Sequence, residues 1–212
     1  MFGLLFVFFT TTSEAQAGQG GQVGIQTIGI ESYDAIFIKA RKIDRTVTQA
    51  ERNVRQAKLG FNQVMGLTNK STYVEGIAEL QRRAGKSISM AFRGQTPQVS
   101  SSKHLPANVQ QGVTALNNVL TNHVDALKEL SKVPKQTIAL TQEVRSFSTQ
   151  FQNGIDQMPL SALTNVQKAK TVRKNVRRMS NIPERTKRIV QKITNQLRNI
   201  CAAFGKTWKG EN

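Results

Sequence analysis

Between Ile36 and Phe61 the residues Ile36, Ala40, Ile43, Val47, Ala50, Val54, Ala57 and Phe61 recur at alternating steps of four and three. At 3.6 residues per turn, this spacing keeps one apolar seam on a single side of an α-helix. A strand would throw the same residues onto both faces, because its side chains alternate with period two. Ser32 is the expected N-cap, and the helix is expected to run to about Leu67. A helix with one long apolar seam must bury it against partners, which commits the chain to a helical assembly.

The remaining apolar stripes have the same period. A Thr72 and Glu75 capping box opens an expected second helix with Tyr73, Ile77, Leu80, Ala84, Ile88 and Ala91 on its apolar side. Arg93 to Pro106, rich in Ser, Gln and Pro, reads as the longest internal loop. A third helix carries Val109, Val113, Leu116, Leu120, Val124 and Leu127, and a fourth carries Leu140, Val144, Phe147, Phe151 and Met158. Pro134, Pro159 and Pro183 fall between stripes, where a missing N–H and a fixed φ cost least, so they are expected to separate helices. No strand signal of useful length stands out. The expected fold is all-α, an antiparallel, mostly up-and-down bundle of about six amphipathic helices with a flexible N-terminal leader.

The ends set the expected domain organisation. Phe2 to Phe9 is an apolar run too short to span a bilayer, and Ala15 and Ala17 then stand in an A-x-A arrangement before Gly18. Residues 1–17 therefore read as a secretory signal, although the usual basic n-region is missing. Residues 18–31, rich in Gly and Gln, read as the leader, 32–205 as the bundle and 206–212 as a tail. The expected location is secreted or periplasmic. Cys201, the sole cysteine, excludes an internal disulfide and is expected to be a buried thiol. Asn69-Lys70-Ser71 forms a glycosylation sequon, meaningful only in a eukaryotic cell.

Motifs for catalysis are weak. Ala84-Gly85-Lys86-Ser87 resembles part of a phosphate-binding loop, but Leu80 stands where that motif needs glycine and no strand precedes it. His104 and His123 lack a Cys or Glu at metal spacing and are expected at the surface or at an edge. The pairs Glu75 with Glu79 and Asp125 with Glu129 lie one turn apart and are expected to face water. The expectation is therefore no catalytic residue, no metal, no cofactor and no enzyme.

Charge is the informative feature. Thirty basic residues against thirteen acidic give +17, and Lys168 to Lys192 holds ten Lys or Arg against Glu184 alone. On the expected fifth helix, Ala169, Val172, Val176 and Met179 share one side, opposite Lys170, Arg173, Lys174, Arg177 and Arg178. On the expected sixth, Ile189, Val190, Ile193, Leu197, Ile200 and Phe204 oppose Arg185, Lys187, Arg188, Lys192 and Arg198. An ordinary solvated face mixes signs. Here Arg173 with Arg177, Lys174 with Arg178 and Arg188 with Lys192 repel, each by roughly 0.2 to 0.5 kcal/mol, so folding alone does not select the pattern.

Those ten cations are the expected polyanion-binding residues, with Lys39, Arg41, Lys42, Arg45, Arg52, Arg55 and Lys58 as a possible second strip. The expected partners outside the cytosol are an anionic glycan, a lipid surface, lipopolysaccharide or an acidic protein. Nucleic acid is expected to bind only in vitro. No aromatic residue lies between Phe151 and Phe204 to stack bases, and no RRM or KH signature is present. Trp208 reads either as packing or as an interfacial anchor. The alternative expectation is a structural or assembly subunit that self-associates through the Ile36 to Phe61 seam.

Overall fold

The computed structural model of the 212-residue chain describes residues 24–155 and 163–210. The expected signal, the start of the leader, Met158 and Pro159 lie outside the described residues. Within them the chain is mostly helical, with α1 (Glu31–Val64), α2 (Tyr73–Ala84), β1 (Ile88–Arg93), β2 (Thr96–Ser101), α3 (Ala107–Leu130), α4 (Val133–Ile155) and α5 (Leu163–Ala202).

The first helix forms as its seam predicts, and Ile36, Ala40, Ile43, Val47, Ala50, Val54 and Phe61 are all buried. Its start is held differently from expectation. The helix begins at Glu31, with Ile30 at the N-cap position, and the Asp34 carboxylate accepts from the backbone N–H groups of Ile28 (2.7 Å) and Gly29 (2.9 Å). An acid in the first turn also suits the positive end of the helix dipole. At the far end Gly66 takes φ +71°, and Leu67 N–H donates to Asn62 O while Gly66 N–H donates to Gln63 O. This paired closure satisfies two terminal carbonyls and needs a left-handed residue. The Asn62 amide then donates to Thr68 O (3.0 Å) and Ser71 O (3.1 Å), which fixes the turn into α2. The Thr72 and Glu75 capping box forms as expected.

Two expectations fail between residues 85 and 101. The second helix stops at Ala84, and Ile88 and Ala91 belong to a strand instead of its apolar side. The expected loop supplies the partner strand, with Ile88 opposite Ser101 and Arg93 opposite Thr96 in an antiparallel hairpin. Ile88, Met90, Pro97 and Val99 turn inward. Gly94, at φ +63°, opens the two-residue turn, a conformation that favours glycine and matches strand twist. Asn117 of α3 pins the hairpin by exchanging two hydrogen bonds of 2.8 Å with the Val99 backbone.

The expected fifth and sixth helices are one. The helix α5 runs straight through Pro183. A proline inside a helix removes one hydrogen bond and costs about 3 kcal/mol. The loss is offset because the buried stripe continues in phase across it, through Val172, Asn175, Met179, Ile182, Thr186, Ile189 and Ile193. Pro134 stands second in α4, where its missing N–H costs nothing.

Two linked cores result. Phe61, Ile77, Leu80, Leu116, Leu197 and Ile200 centre one, and Ile43, Val47, Leu130, Leu140, Met179 and Ile193 centre the other. The long axis is a three-helix arrangement. In it α3 and then α4 run back along α1, and α5 returns beside both, so that Asn175 meets Gln26, Arg185 meets Asp44 and Gln196 meets His123. The second helix and the hairpin close the end near Phe61. The described part of the leader is not loose. Ile25 and Ile28 are buried, the Asn175 side chain exchanges two hydrogen bonds with the Gln26 backbone, and Arg41 Nε donates to Ile25 O (2.8 Å).

Candidate anion-binding surface

The helix α5 carries Lys168, Lys170, Arg173, Lys174, Arg177, Arg178, Arg185, Lys187, Arg188, Lys192 and Arg198, with Glu184 as its one acid. The buried stripe fixes which way these cations face. At 100° per residue, Lys170, Arg173, Lys174, Arg177, Arg178, Arg185, Arg188 and Lys192 fall within an arc of about 140° opposite the stripe. Lys187 and Arg198 lie on one flank of that arc. At 1.5 Å per residue, Lys170 and Lys192 are about 33 Å apart along the axis. Lys170, Arg173, Lys174, Arg177, Lys187, Arg188, Lys192 and Arg198 are exposed, and Arg178 is half-buried.

Arg185 does something else. Its guanidinium is 2.9 Å from the Asp44 carboxylate and 3.2 Å from that of Glu51, and it donates to Thr48 Oγ1 at 3.2 Å. It is a cross-link from α5 to α1, and its charge is already matched. Among the described residues, the other nine expected site residues enter no ion pair. Arg178, Arg185 and Arg188 border a cleft of about 460 Å³ between the two helices together with Asp44 and Glu184. The signs are therefore mixed around Arg185 and uniform from Lys168 to Arg178.

The second strip on α1 is partly committed. Lys39 pairs with Glu143 of α4 (3.0 Å), Arg41 holds the leader, and the Lys58 ammonium sits 5.9 Å from the Tyr73 ring centroid. Lys42, Arg45, Arg52 and Arg55 are exposed.

The other titratable candidates are structural. His123 is fully buried, which corrects its expected edge position. Its Nδ1 is 2.8 Å from Val119 O, its Nε2 is 3.2 Å from the Gln196 side chain, and its ring packs edge-on against Tyr73. Burial lowers its pKa, so the neutral ring serves as a core hydrogen-bonding group. His104 is exposed, as expected. Cys201 is buried, as expected, and desolvation pushes its thiol up to about 11. Such a thiol carries little thiolate at neutral pH.

Glu79 accepts from Arg82 and Arg83 at 2.7 Å, and those hydrogen bonds, Arg82 first, hold its carboxyl at about 2. Glu129 pairs with Lys132 on the same turn (2.7 Å). Among the described residues no group of three His, Cys, Asp or Glu side chains is placed to hold a metal, and no helix is long and apolar enough to cross a membrane. Gly85–Ser87 forms a single 3-10 turn with no strand before it, the wrong setting for a phosphate loop.

Comparison of the chain with protein-family models, curated proteins and solved structures finds no match. Sequence reasoning passed over Arg185 as a cross-link, since nothing in α5 indicates that α1 places Asp44 and Glu51 opposite it. It also missed Asn175, although its place in the buried stripe between Val172 and Met179 was an available signal.

Proposed function

We propose that this chain is an exported basic bundle protein that attaches to anionic surfaces, a sulfated glycan, anionic lipid or lipopolysaccharide, through the outer face of α5. The observation that carries this reading is the set Lys170, Arg173, Lys174, Arg177 and Arg178. These side chains lie on one face over two turns, without an ion pair among the described residues. Repulsion between neighbours one turn apart is unfavourable for the isolated helix. A multivalent anion relieves it. Association then depends on counterion release and weakens with salt.

The alternative subunit reading would use the Ile36 to Phe61 seam. That seam is interior to the bundle, so self-association through it requires the bundle to open.

The test is retention on heparin and on vesicles containing phosphatidylglycerol, across a salt series. A variant with Arg173, Arg177, Arg178 and Arg188 changed to Gln should lower the log–log salt slope by roughly 3, at about 0.7 to 0.9 per neutralised site. Unchanged binding by that variant on both matrices would refute the proposal.

A further inference from the structure

An apolar trough lies on the flank of α5, away from its outer basic face. One compartment, about 680 Å³, is walled by Val133, Pro134 and Ile138 of α4 and by Pro183, Thr186 and Val190 of α5. A second, about 280 Å³, has Val124 and Leu127 of α3, Thr194 and Arg198 of α5, and Trp208 in its wall. Ser131 and Val190 line both compartments, so they adjoin. Together they reach the size range of small-molecule sites. Ile138 is 62 % exposed, the largest exposure among the exposed large hydrophobic residues described, and it stands on this wall.

Charge selects the occupant. Lys187 borders the larger compartment, Arg198 and Lys209 border the smaller, and among the described residues no carboxylate lines either one. A second copy of a chain with net charge +17 would bring like charges together at this rim. An elongated apolar body with one anionic end matches both features. It buries hydrocarbon along Val133, Ile138 and Val190, and its anion reaches Arg198 and Lys209. We propose that the trough binds the single chain of a long-chain anionic amphiphile, with a carboxylate as its headgroup. This goes beyond surface attachment, and of the ten basic site residues only Lys187 and Arg198, on the flank of the arc, border the trough.

Trp208 makes the proposal directly readable. It is the only tryptophan, its Nε1 donates to Gln95 O, and its ring forms part of the trough wall. The full chain is titrated with laurate below its aggregation concentration while Trp208 emission is recorded. A saturable change is expected. Butyrate, which buries eight fewer methylenes, should bind at least about 100-fold more weakly. Dodecyltrimethylammonium, with the same chain length and opposite charge, should bind about tenfold more weakly than laurate.

Lys187→Glu combined with Arg198→Glu should weaken laurate by about tenfold and bring the cationic amphiphile closer to it. The variant with Arg173, Arg177, Arg178 and Arg188 changed to Gln should bind laurate within about twofold of the parent, because none of those positions lines either compartment. Failure here therefore leaves the heparin result intact, and the reverse also holds. The proposal is overturned by an unsaturable response, by butyrate matching laurate, or by the double Glu variant binding laurate as the parent does. Trp208 emission that changes on dilution without ligand, together with a mass that falls from dimer toward monomer, would instead assign the trough to a second copy.

Discussion

Replacing Gly76 by alanine tests the packing of α2 against α1 where two physical effects oppose each other. Intrinsic helix propensity favours alanine by about 0.8 to 1.0 kcal/mol. The packing argues the other way, since a Cβ on Gly76 would lie 2.5 Å from Phe61 Cε1 and within 3.3 Å of two further ring atoms. Carbon atoms pack best at about 3.5 to 4.0 Å, so ring or helix must give by about 1 Å. Phe61 is fully buried and belongs to the core with Met65, Ile77 and Leu80, which leaves its ring little room. Overpacking of this kind costs about 1 to 3 kcal/mol.

With the ring walled in, the upper half of that range applies, and the net loss for Gly76→Ala is about 1 to 2 kcal/mol. At about 2 to 4 °C per kcal/mol for a chain of this size, the midpoint should fall by about 2 to 8 °C. Urea unfolding followed by far-ultraviolet circular dichroism gives the free energy, and calorimetry gives the midpoint. In a Phe61→Leu background the obstructing ring atoms are gone, so Gly76→Ala should turn neutral or stabilising, a coupling of about 1 to 2 kcal/mol in the double-mutant cycle. A Gly76→Ala protein more stable than the parent would refute the close approach of the two helices.

Arg185→Gln should cost about 1 kcal/mol, the modest figure reflecting that the pair with Asp44 is about one-third exposed, while heparin retention stays near that of the parent. Chemical unfolding and column retention measured on the same variant separate the two. Acid should act in two windows. His123, with its pKa lowered by burial, binds its proton more readily when unfolded, so stability should decline as pH drops below about 6.5 and level off below the folded value. In His123→Gln that first decline should vanish. Glu79, at about 2 in the fold against an ordinary 4.5, contributes above 4.5 and loses its contribution as pH falls toward 2, a step that Glu79→Gln should flatten. Cys201 should resist a thiol reagent in the native protein and react promptly in urea, and fast native labelling would contradict its burial.

The parts of the fold that local periodicity determines were legible. The α1 seam, the Thr72 capping box and the α3 stripe all follow from spacing of three and four. The hairpin was not, because Ile88 and Ala91 also satisfy a helical spacing and the alternation of Ile88 with Met90 is brief. The Gly94-Gln95 turn was the stronger clue, since a left-handed glycine between short apolar runs suits a two-residue hairpin. Pro183 misled because a local rule about proline was set above phase. Ile182 and Thr186 keep the α5 stripe in register on either side, and packing of that stripe outweighs one missing hydrogen bond. The basic face was readable because the stripe defines its opposite. Arg185 shows where such reading ends, since its partners are more than 130 residues earlier in the chain.

The uninterrupted course of α5 through Pro183 has a geometric outcome. Forty residues of helix make a rod about 60 Å long, several times its own width. Under the proposed attachment, the exposed cations from Lys170 to Lys192 make contact over about 33 Å of that rod and lay it flat, so that many weak points act in parallel and no single one is decisive. A film of this protein on an anionic support should therefore be about one bundle diameter thick and not one rod length, a difference that reflectometry resolves.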